Sequence, residues 1–422
     1  MCHCRNLSKS SFATRLTRDV ANLWRKDTEE SMTAHVDRKW RNYLGLFFPV
    51  LVALALISMA CSQASTPSPT AAPAAPAAAP TKAAAAPAAA PTTAAAAAAP
   101  AKKTKGYTIG WADIYLTPTW MQETLQMIQA EADKFSKDGT ISKFQVFNAN
   151  GDTTQQIAQI QAMIDQGYDA IIVDAGSSTA LNPVLEQAVS KGIVVTNFDS
   201  LVNTNKVIRI DTDQRQWGVV TAQWLMDKIG GKGKIIAING PAGVSVSEDR
   251  WAGADSVIKK YPNVEVVANL HSEYNLAPAQ QACSSAIAAH PDIVGVYSQG
   301  GALSDGCLKA LIQSGSKLVP IPGENFNGFL KDWSDNRKNG FSSIAPAQPN
   351  YLAVIALDAA VYKLQGKQVA QYVNVPLPLI TDDNLSQYVP NDFANDWYPV
   401  KPLSQDVIDK LISTGGEPVK QQ

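Results

Sequence analysis

Histidine is scarce in this 422-residue chain: four in all, and only His271 and His290 lie beyond residue 105. A zinc centre draws on His and Cys, so the body of the chain has too little to build a multi-histidine metal site. Positive charge is short there too. Residues 1–60 hold nine of the 36 Lys and Arg and five of the 37 Asp and Glu, and residues 62–105 hold four further Lys. That leaves 23 basic against 32 acidic side chains in 106–422, a net −9 hidden beneath a whole-chain value of −1. Such a body is a poor match to a phosphate backbone, whose binding rests on clustered Lys and Arg, and no nucleic-acid partner is expected. Gly-x-Ser-x-Gly and paired-His motifs are absent, and no nucleophile–base pair with a third orienting group is visible, so no enzyme is expected. The phosphate-like run Gly230-Gly231-Lys232-Gly233-Lys234 ends a helix and precedes a strand. A phosphate loop must follow a strand and open a helix, so this run reads as a helix C-cap and turn. Nothing implies a cofactor or a metal.

The amino-terminal quarter is different in kind. Asn42–Ala60 carries no charge, its core Leu44–Ile57 is almost wholly apolar, and Arg38, Lys39 and Arg41 precede it. A basic stretch, an apolar stretch and small residues describe a secretory signal spanning 32–61, opened by Met32. Residues 1–31 then read as an upstream extension or a wrongly chosen start, against a genuine cytoplasmic tail. The signal ends Ser58-Met59-Ala60-Cys61, which resembles the lipobox of bacterial lipoproteins, where a lipid is attached through the thiol of the new first residue. Ser58 departs from the usual aliphatic residue. Cleavage by ordinary signal peptidase and an uncleaved membrane helix remain open beside lipidation of Cys61. Residues 62–105 contain 22 Ala and 8 Pro in 44 positions. Repeated Pro prevents a continuous helix and no apolar pattern builds a core, so the tract is a linker holding a domain off a surface.

After Lys105 apolar runs of four or five alternate with stretches of helical spacing. Strands are expected at 107–111, 144–147, 170–174, 193–197, 234–239, 265–270 and 293–298. Helices are expected at 121–135, 154–166, 181–191, 217–229, 249–260, 277–290 and 303–314. Short continuous apolar runs between helices mark a parallel sheet covered on both faces. The fold class is α/β and doubly wound, with more strands than one sheet needs, hence two lobes.

The order of elements resembles a family. GYTIGWADIYLTPTWMQETLQMIQAEADKF is similar to the opening strand, loop and helix of the ribose-type (type I) periplasmic sugar-binding proteins of bacterial ABC importers. So are QQIAQIQAMIDQGYDAIIVDAGSSTALNPVLEQAVSKGIVVTNFDS, GGKGKIIAINGPAG and HPDIVGVYSQGGALSDGCLKAL. The resemblance covers roughly 106–385. It implies two doubly wound parallel-sheet lobes joined by a three-segment hinge, with the crossings near Asp211–Asp213, Ala347–Pro349 and Pro376–Pro378. One lobe is then 106–211 plus 349–376, the other 214–346 plus 379–390, and 391–422 is a C-terminal tail whose Trp397 and Tyr398 pack back onto a lobe. Such lobes close on a ligand by hinge motion.

A sugar offers hydroxyls at its edge and flat C–H patches on its faces, so its site needs bidentate polar groups and aromatic planes. The resemblance places a binding Asp at Asp199, which otherwise reads as a turn or N-cap residue. It places a binding Arg at Arg250, which otherwise reads as a surface ion pair. Trp120 and Tyr274 are the aromatic candidates, with Trp111 and Tyr115 on the first loop as further wall or as core. The chain departs from ribose binders at Gln299-Gly300-Gly301, where Asn-Asp is common. After the next strand Glu324 and Asn325 stand where an Asp is expected, with Asn325 counted among the ligand-binding residues. At the second hinge Pro346 aligns directly, and Gln348 takes the family glutamine's place only after a shift. The departures point away from ribose, toward another monosaccharide, a polyol or a modified furanose.

Cys283 and Cys307 fall on consecutive helices of one lobe, which pack side by side, and an exported compartment permits their oxidation. A disulfide is expected, against two buried free thiols. The reading is an extracytoplasmic, membrane-anchored lipoprotein at the cell envelope or periplasm. It is expected to be a monomer that binds a small sugar-like solute and delivers it to an ABC permease, its anchor in the lipid bilayer. The rival is a sensory receptor of the same fold signalling to a kinase or chemoreceptor. A repressor of that fold would need a DNA-reading helix pair where the signal and linker stand.

Overall fold

A computed structural model describes residues 106–389 and 392–416. The signal, Cys61, the extension 1–31, the linker 62–105 and the ends of the tail lie outside the described residues.

The most apolar strand of the sequence is the middle of the larger sheet. AIIVD, Ala170–Asp174 (β3), is buried along its whole length. It lies between β1 (Tyr107–Asp113) and β4 (Val194–Phe198). The sheet is completed by β2 (Ile141–Asn148) on one side and by β5 (Ile208–Asp211) and β10 (Tyr372–Asn374) on the other. All six strands run parallel. Alternate side chains face two cores. Ala170 and Ile172 join α1 (Thr119–Lys137) and α9 (Leu352–Leu364), whereas Ile171 and Val173 join α2 (Thr153–Asp165) and α3 (Asn182–Ser190). Burial on both faces is why these strands read as continuous apolar runs.

The second sheet is smaller. β6 (Lys232–Asn239) lies between β7 (Asn263–His271) and β8 (Ile293–Ser298), all parallel. Ile236 and Ile238 face α6 (Leu276–Ala289), α7 (Gly301–Ser314) and α8 (Asn327–Asn336). Ile235 and Ala237 face α4 (Gln214–Ile229) and α5 (Ser245–Ile258). A short antiparallel pair, β9 (Ala345–Pro346) and β11 (Leu379–Ile380), packs into the α7–α8 core. The chain passes between the two lobes after β5, between β9 and α9, and between β10 and β11. A last helix, α10 (Gln405–Thr414), lies on the first lobe.

Local chemistry explains several boundaries. Asp152 caps α2 by accepting from the amides of Thr154 and Gln155, and Asp213 caps α4 through Gln216 N–H. Gly230 closes α4 in the left-handed conformation, φ +67°, as the glycine run implied. Cys283 of α6 and Cys307 of α7 are joined in a disulfide, their Cα atoms 5.1 Å apart. α4 and α5 meet backbone to backbone at Gly218 and Gly253, where a side chain on either glycine would overlap the other helix's main chain. Among the described residues no helix is long and apolar enough to cross a membrane.

Candidate functional site

Parallel strands bring their carboxyl ends to one edge, and this chain sets acids there. Asp113 ends β1, Asp174 ends β3 opposite it in register, Asp199 follows β4 and Asp211 ends β5. Ligands of open α/β sheets bind beyond that edge. A cavity enclosing about 570 Å³ that no protein atom fills, part of it open to solvent, lies there. The first lobe contributes Tyr115, Trp120, Asp174 and Asp199; the second contributes Val244, Arg250, Tyr274 and Glu324. Gln348, from a hinge crossing, and Tyr398, from the tail, complete it.

Asp199 is half-buried, and its backbone takes φ +53°, a left-handed conformation uncommon away from glycine. Its Oδ1 accepts from Gln348 Nε2 at 2.8 Å, and Oδ2 has no protein partner among the described residues. Burial raises its pKa to about 6, opposed by the charge of Arg250 and reinforced by that of Glu324. Asp113 and Asp174 are raised well above the usual carboxylate range, again mainly by burial. Tyr115 N–H donates to Asp113, and Ser200 N–H donates to Asp174.

Arg250, on α5, is 2% exposed and held on three sides. Its Nε donates to Gln214 Oε1 at 2.8 Å, its Nη1 to Glu324 Oε1 at 3.0 Å and to Gln299 O, and the guanidinium lies 4.4 Å from the Trp217 ring centre. Nη2 has no protein acceptor among the described residues. The ion pair is therefore buried rather than on the surface, and it fixes a fork with one nitrogen left to donate. Gln299, at the Gln-Gly-Gly departure, supports the site from behind. Its amide bonds Asn239 Oδ1 and Ser247 O, and its oxygen accepts from Gly240 N–H.

Of the four aromatic candidates, three line the cavity. Trp120 donates from Nε1 to Gln348 O at 3.5 Å. Tyr274, at φ +55°, lies over the glycine backbones 240 and 300, where added Cβ atoms would come within 2.6 Å and 3.0 Å of its ring carbons. Tyr115 is half-buried on the first loop. Trp111 is a correction: fully buried, it packs 5.8 Å from Phe198 in the core beneath the sheet. Position 111 lies within a strand buried on both faces, so alternation gave no sign of which way its ring turns. Asn325 is a second correction. It is fully buried off the cavity wall, and its Nδ2 donates to Pro399 O at 3.0 Å and Gln348 O at 3.4 Å. Its neighbour Glu324 is the wall residue.

Asp174 and Tyr398 had not been singled out as wall residues. An acid closing an apolar parallel strand was a legible signal for Asp174. Tyr398 had none, because only tertiary packing brings it here: its ring meets Phe326 edge-on at 5.2 Å, and its N–H donates to Glu123 Oε1 at 3.0 Å.

Residues 109–368 match the family model of the periplasmic binding protein domain. The ribose import binding protein of Bacillus subtilis is 24% identical over 278 residues, covering 66% of this chain and 88% of that protein. The xylitol-binding protein of Mycolicibacterium smegmatis is 31% identical over 243 residues, covering 56% of this chain and 68% of its own. The crystal structure of an ABC transporter solute binding protein from Thermobispora bispora superposes with a TM-score of 0.67 at 26% identity, covering 75% of this chain and 98% of the other.

Proposed function

The chain belongs to the periplasmic binding protein domain family, and from that membership we propose that it is the extracytoplasmic substrate-binding lipoprotein of an ABC importer. Its solute is a monosaccharide or a sugar-like polyol, and its mechanism is binding without chemistry. The observation that carries this reading is the cavity itself. Among the described residues Asp199 Oδ2 and the two hydrogens on Arg250 Nη2 have no partner, and Trp120, Tyr115 and Tyr274 line the same cavity. A carboxylate acceptor, a forked donor and aromatic planes are what a polyhydroxylated ring or chain requires. The likeness to a ribose importer's binding protein and to a xylitol-binding protein supports a five-carbon solute. We place the lobes at 106–211 plus 349–376 and at 214–346 plus 379–390. They close on the solute by bending at the crossings, and the closed form docks on a membrane permease. Anchored through Cys61 by the Ala/Pro tether, a monomer would be held near its permease at raised effective concentration.

A thermal-shift panel of pentoses, hexoses, polyols and furanoses tests the solute class. A ligand at a hundred times its dissociation constant adds roughly 2.7 kcal/mol to the folded state, a shift easily read. Silence across the panel would sink the sugar-like assignment. Solute-dependent ATP hydrolysis by a reconstituted permease separates transport from sensing. Mass spectrometry of the amino-terminal peptide, expected to carry a lipid on Cys61, tests the anchor.

A further inference from the structure

The family match ends at residue 368, yet the cavity wall takes in residue 398. The segment that carries it touches both lobes in turn. Asn327, at the start of α8, donates its N–H to Trp397 O at 2.8 Å and its Nδ2 to Phe393 O and Ala394 O at 2.9 and 2.8 Å. Gly328 N–H donates to Asn395 O at 2.6 Å, and Lys331 Nζ to Phe393 O at 2.8 Å. These bonds fasten 393–397 to the second lobe. Beyond Pro399 most partners change, although Lys401 Nζ still donates to Gln387 Oε1 of the second lobe at 3.2 Å. Val400 and Leu403 pack into the α1–α9 core, Gln405 bonds Asp358 of α9, and Ala370 and Asn374 donate their N–H groups to Ile412 O and Gly415 O.

The change of lobe falls at Tyr398–Pro399, beside a hinge crossing. Glu123 of α1 accepts from Tyr398 N–H with one oxygen and from Asn350 Nδ2 with the other, at 3.0 and 2.6 Å. Asn325 Nδ2 spans Pro399 O and Gln348 O, and Gln348 O also receives Trp120 Nε1. Trp120, Gln348 and Tyr398 thus stand together on the hinge side of the cavity.

We propose that residues 392–416 form a fourth crossing between the lobes, and that Tyr398 contacts the bound solute and limits its size. Tyr398 is 5% exposed and lines the cavity, and its hydroxyl has no hydrogen-bond partner among the described residues. The hydroxyl opens on the cavity, where a solute hydroxyl can take the place of water as its partner. Its side chain is part of the cavity wall beside the hinge, so its bulk limits the space left for a solute. The inference rests on the sugar-like solute proposed above.

The test is calorimetric titration of the full chain with xylitol, D-ribose, sorbitol and D-galactose, for the wild type, Tyr398→Phe and Tyr398→Leu. Tyr398→Phe keeps the packing on Phe326, and its unfolding midpoint is expected to stay with the wild type. It should bind the tightest probe about three- to tenfold more weakly, the worth of one hydrogen bond. Tyr398→Leu should shift preference by about fivefold or more toward the six-carbon probes. If the wild type binds and both variants match it within about twofold on every probe, this proposal alone falls. If the wild type binds no probe, the solute class falls and this proposal with it. Should Tyr398→Leu fail to fold, Tyr398→Phe decides.

Discussion

Replacing Gly253 by Ala should be destabilising in a helix where Ala ordinarily stabilises. Intrinsic propensity favours Ala over Gly by about 1 kcal/mol in a helix interior. Here a Cβ at 253 would lie 3.0 Å from both the Arg215 carbonyl carbon and the Val219 nitrogen, and closer still to Arg215 O. A Cβ at Gly218 would lie 2.8 Å from the Arg250 carbonyl carbon and 3.0 Å from Ala254 N. Comfortable contacts begin near 3.2–3.5 Å, and with the carbonyl oxygens nearest of all the helices must part by more than about 1 Å. The obstacle is backbone, which no rotamer change can clear. Overpacking of side chains costs about 1–3 kcal/mol, and the upper end or beyond is expected here. Gly218→Ala should cost as much, and the double variant less than the sum, because one separation relieves both clashes. Since Arg250 sits on the contact turn, moving α5 also draws its guanidinium from Gln214 and Glu324, and solute affinity should fall at least about tenfold. Urea unfolding and calorimetry of the same samples give both numbers. A Gly253→Ala variant as stable as the wild type, with unchanged affinity, would refute the backbone-contact account of how Arg250 is positioned.

Three further outcomes are expected. Burial raises the Glu123 carboxyl to about 8. The folded chain therefore holds that proton more tightly than the unfolded one, and stability is full below the unfolded value near 4.5 and lost as pH rises to about 8. The loss is on the order of 5 kcal/mol. Melting temperatures from pH 5 to 9 should fall in the wild type and fall less steeply in Glu123→Gln, which Asn350 can accommodate by turning its unpartnered Oδ1 inward, the remaining slope coming from raised carboxyls such as Asp305 and Asp358; an unchanged slope would count against this. If Asp199, raised to about 6, accepts solute hydroxyls as a carboxylate, as proposed, affinity should weaken as pH falls below 6 and should not do so in Asp199→Asn. Reducing Cys283–Cys307, separated by 24 residues, should add two hydrogens by mass and lower stability by about 3 kcal/mol; no mass change would mean free thiols.

The strand–helix order was legible because both sheets are covered on two faces, which turns strands such as AIIVD into unbroken apolar runs. What escaped includes two amphipathic helices, α8 and α10, that were not singled out, and elements whose pattern is too short or too uniform. β9 and β11 are two residues long, and β5 reads IRID with a charge in it. α9, LAVIALDAAVYKL, is buried almost all round, so it has no polar stripe to mark its period. At the site, Asp199 and Arg250 came from motif resemblance, whereas their environment did not: Arg250's bond to Glu324 spans 74 residues, and Asp199's to Gln348 spans 149. Trp120 stood at a stacking position of the resemblance, whereas Trp111 read equally as wall or core, and only the structure puts its ring in the core. Tyr398 lies beyond the resemblance altogether.

The central claim is that the cavity holds a small sugar-like solute between Asp199 and Arg250. Calorimetric titration of the protein with xylitol and with D-ribose, repeated on Asp199→Asn, tests it most directly. The account predicts saturable one-to-one binding of at least one of them, weakened about tenfold or more by the single carboxyl-to-amide change. Binding that Asp199→Asn leaves untouched would contradict it, and would place the solute elsewhere on the molecule.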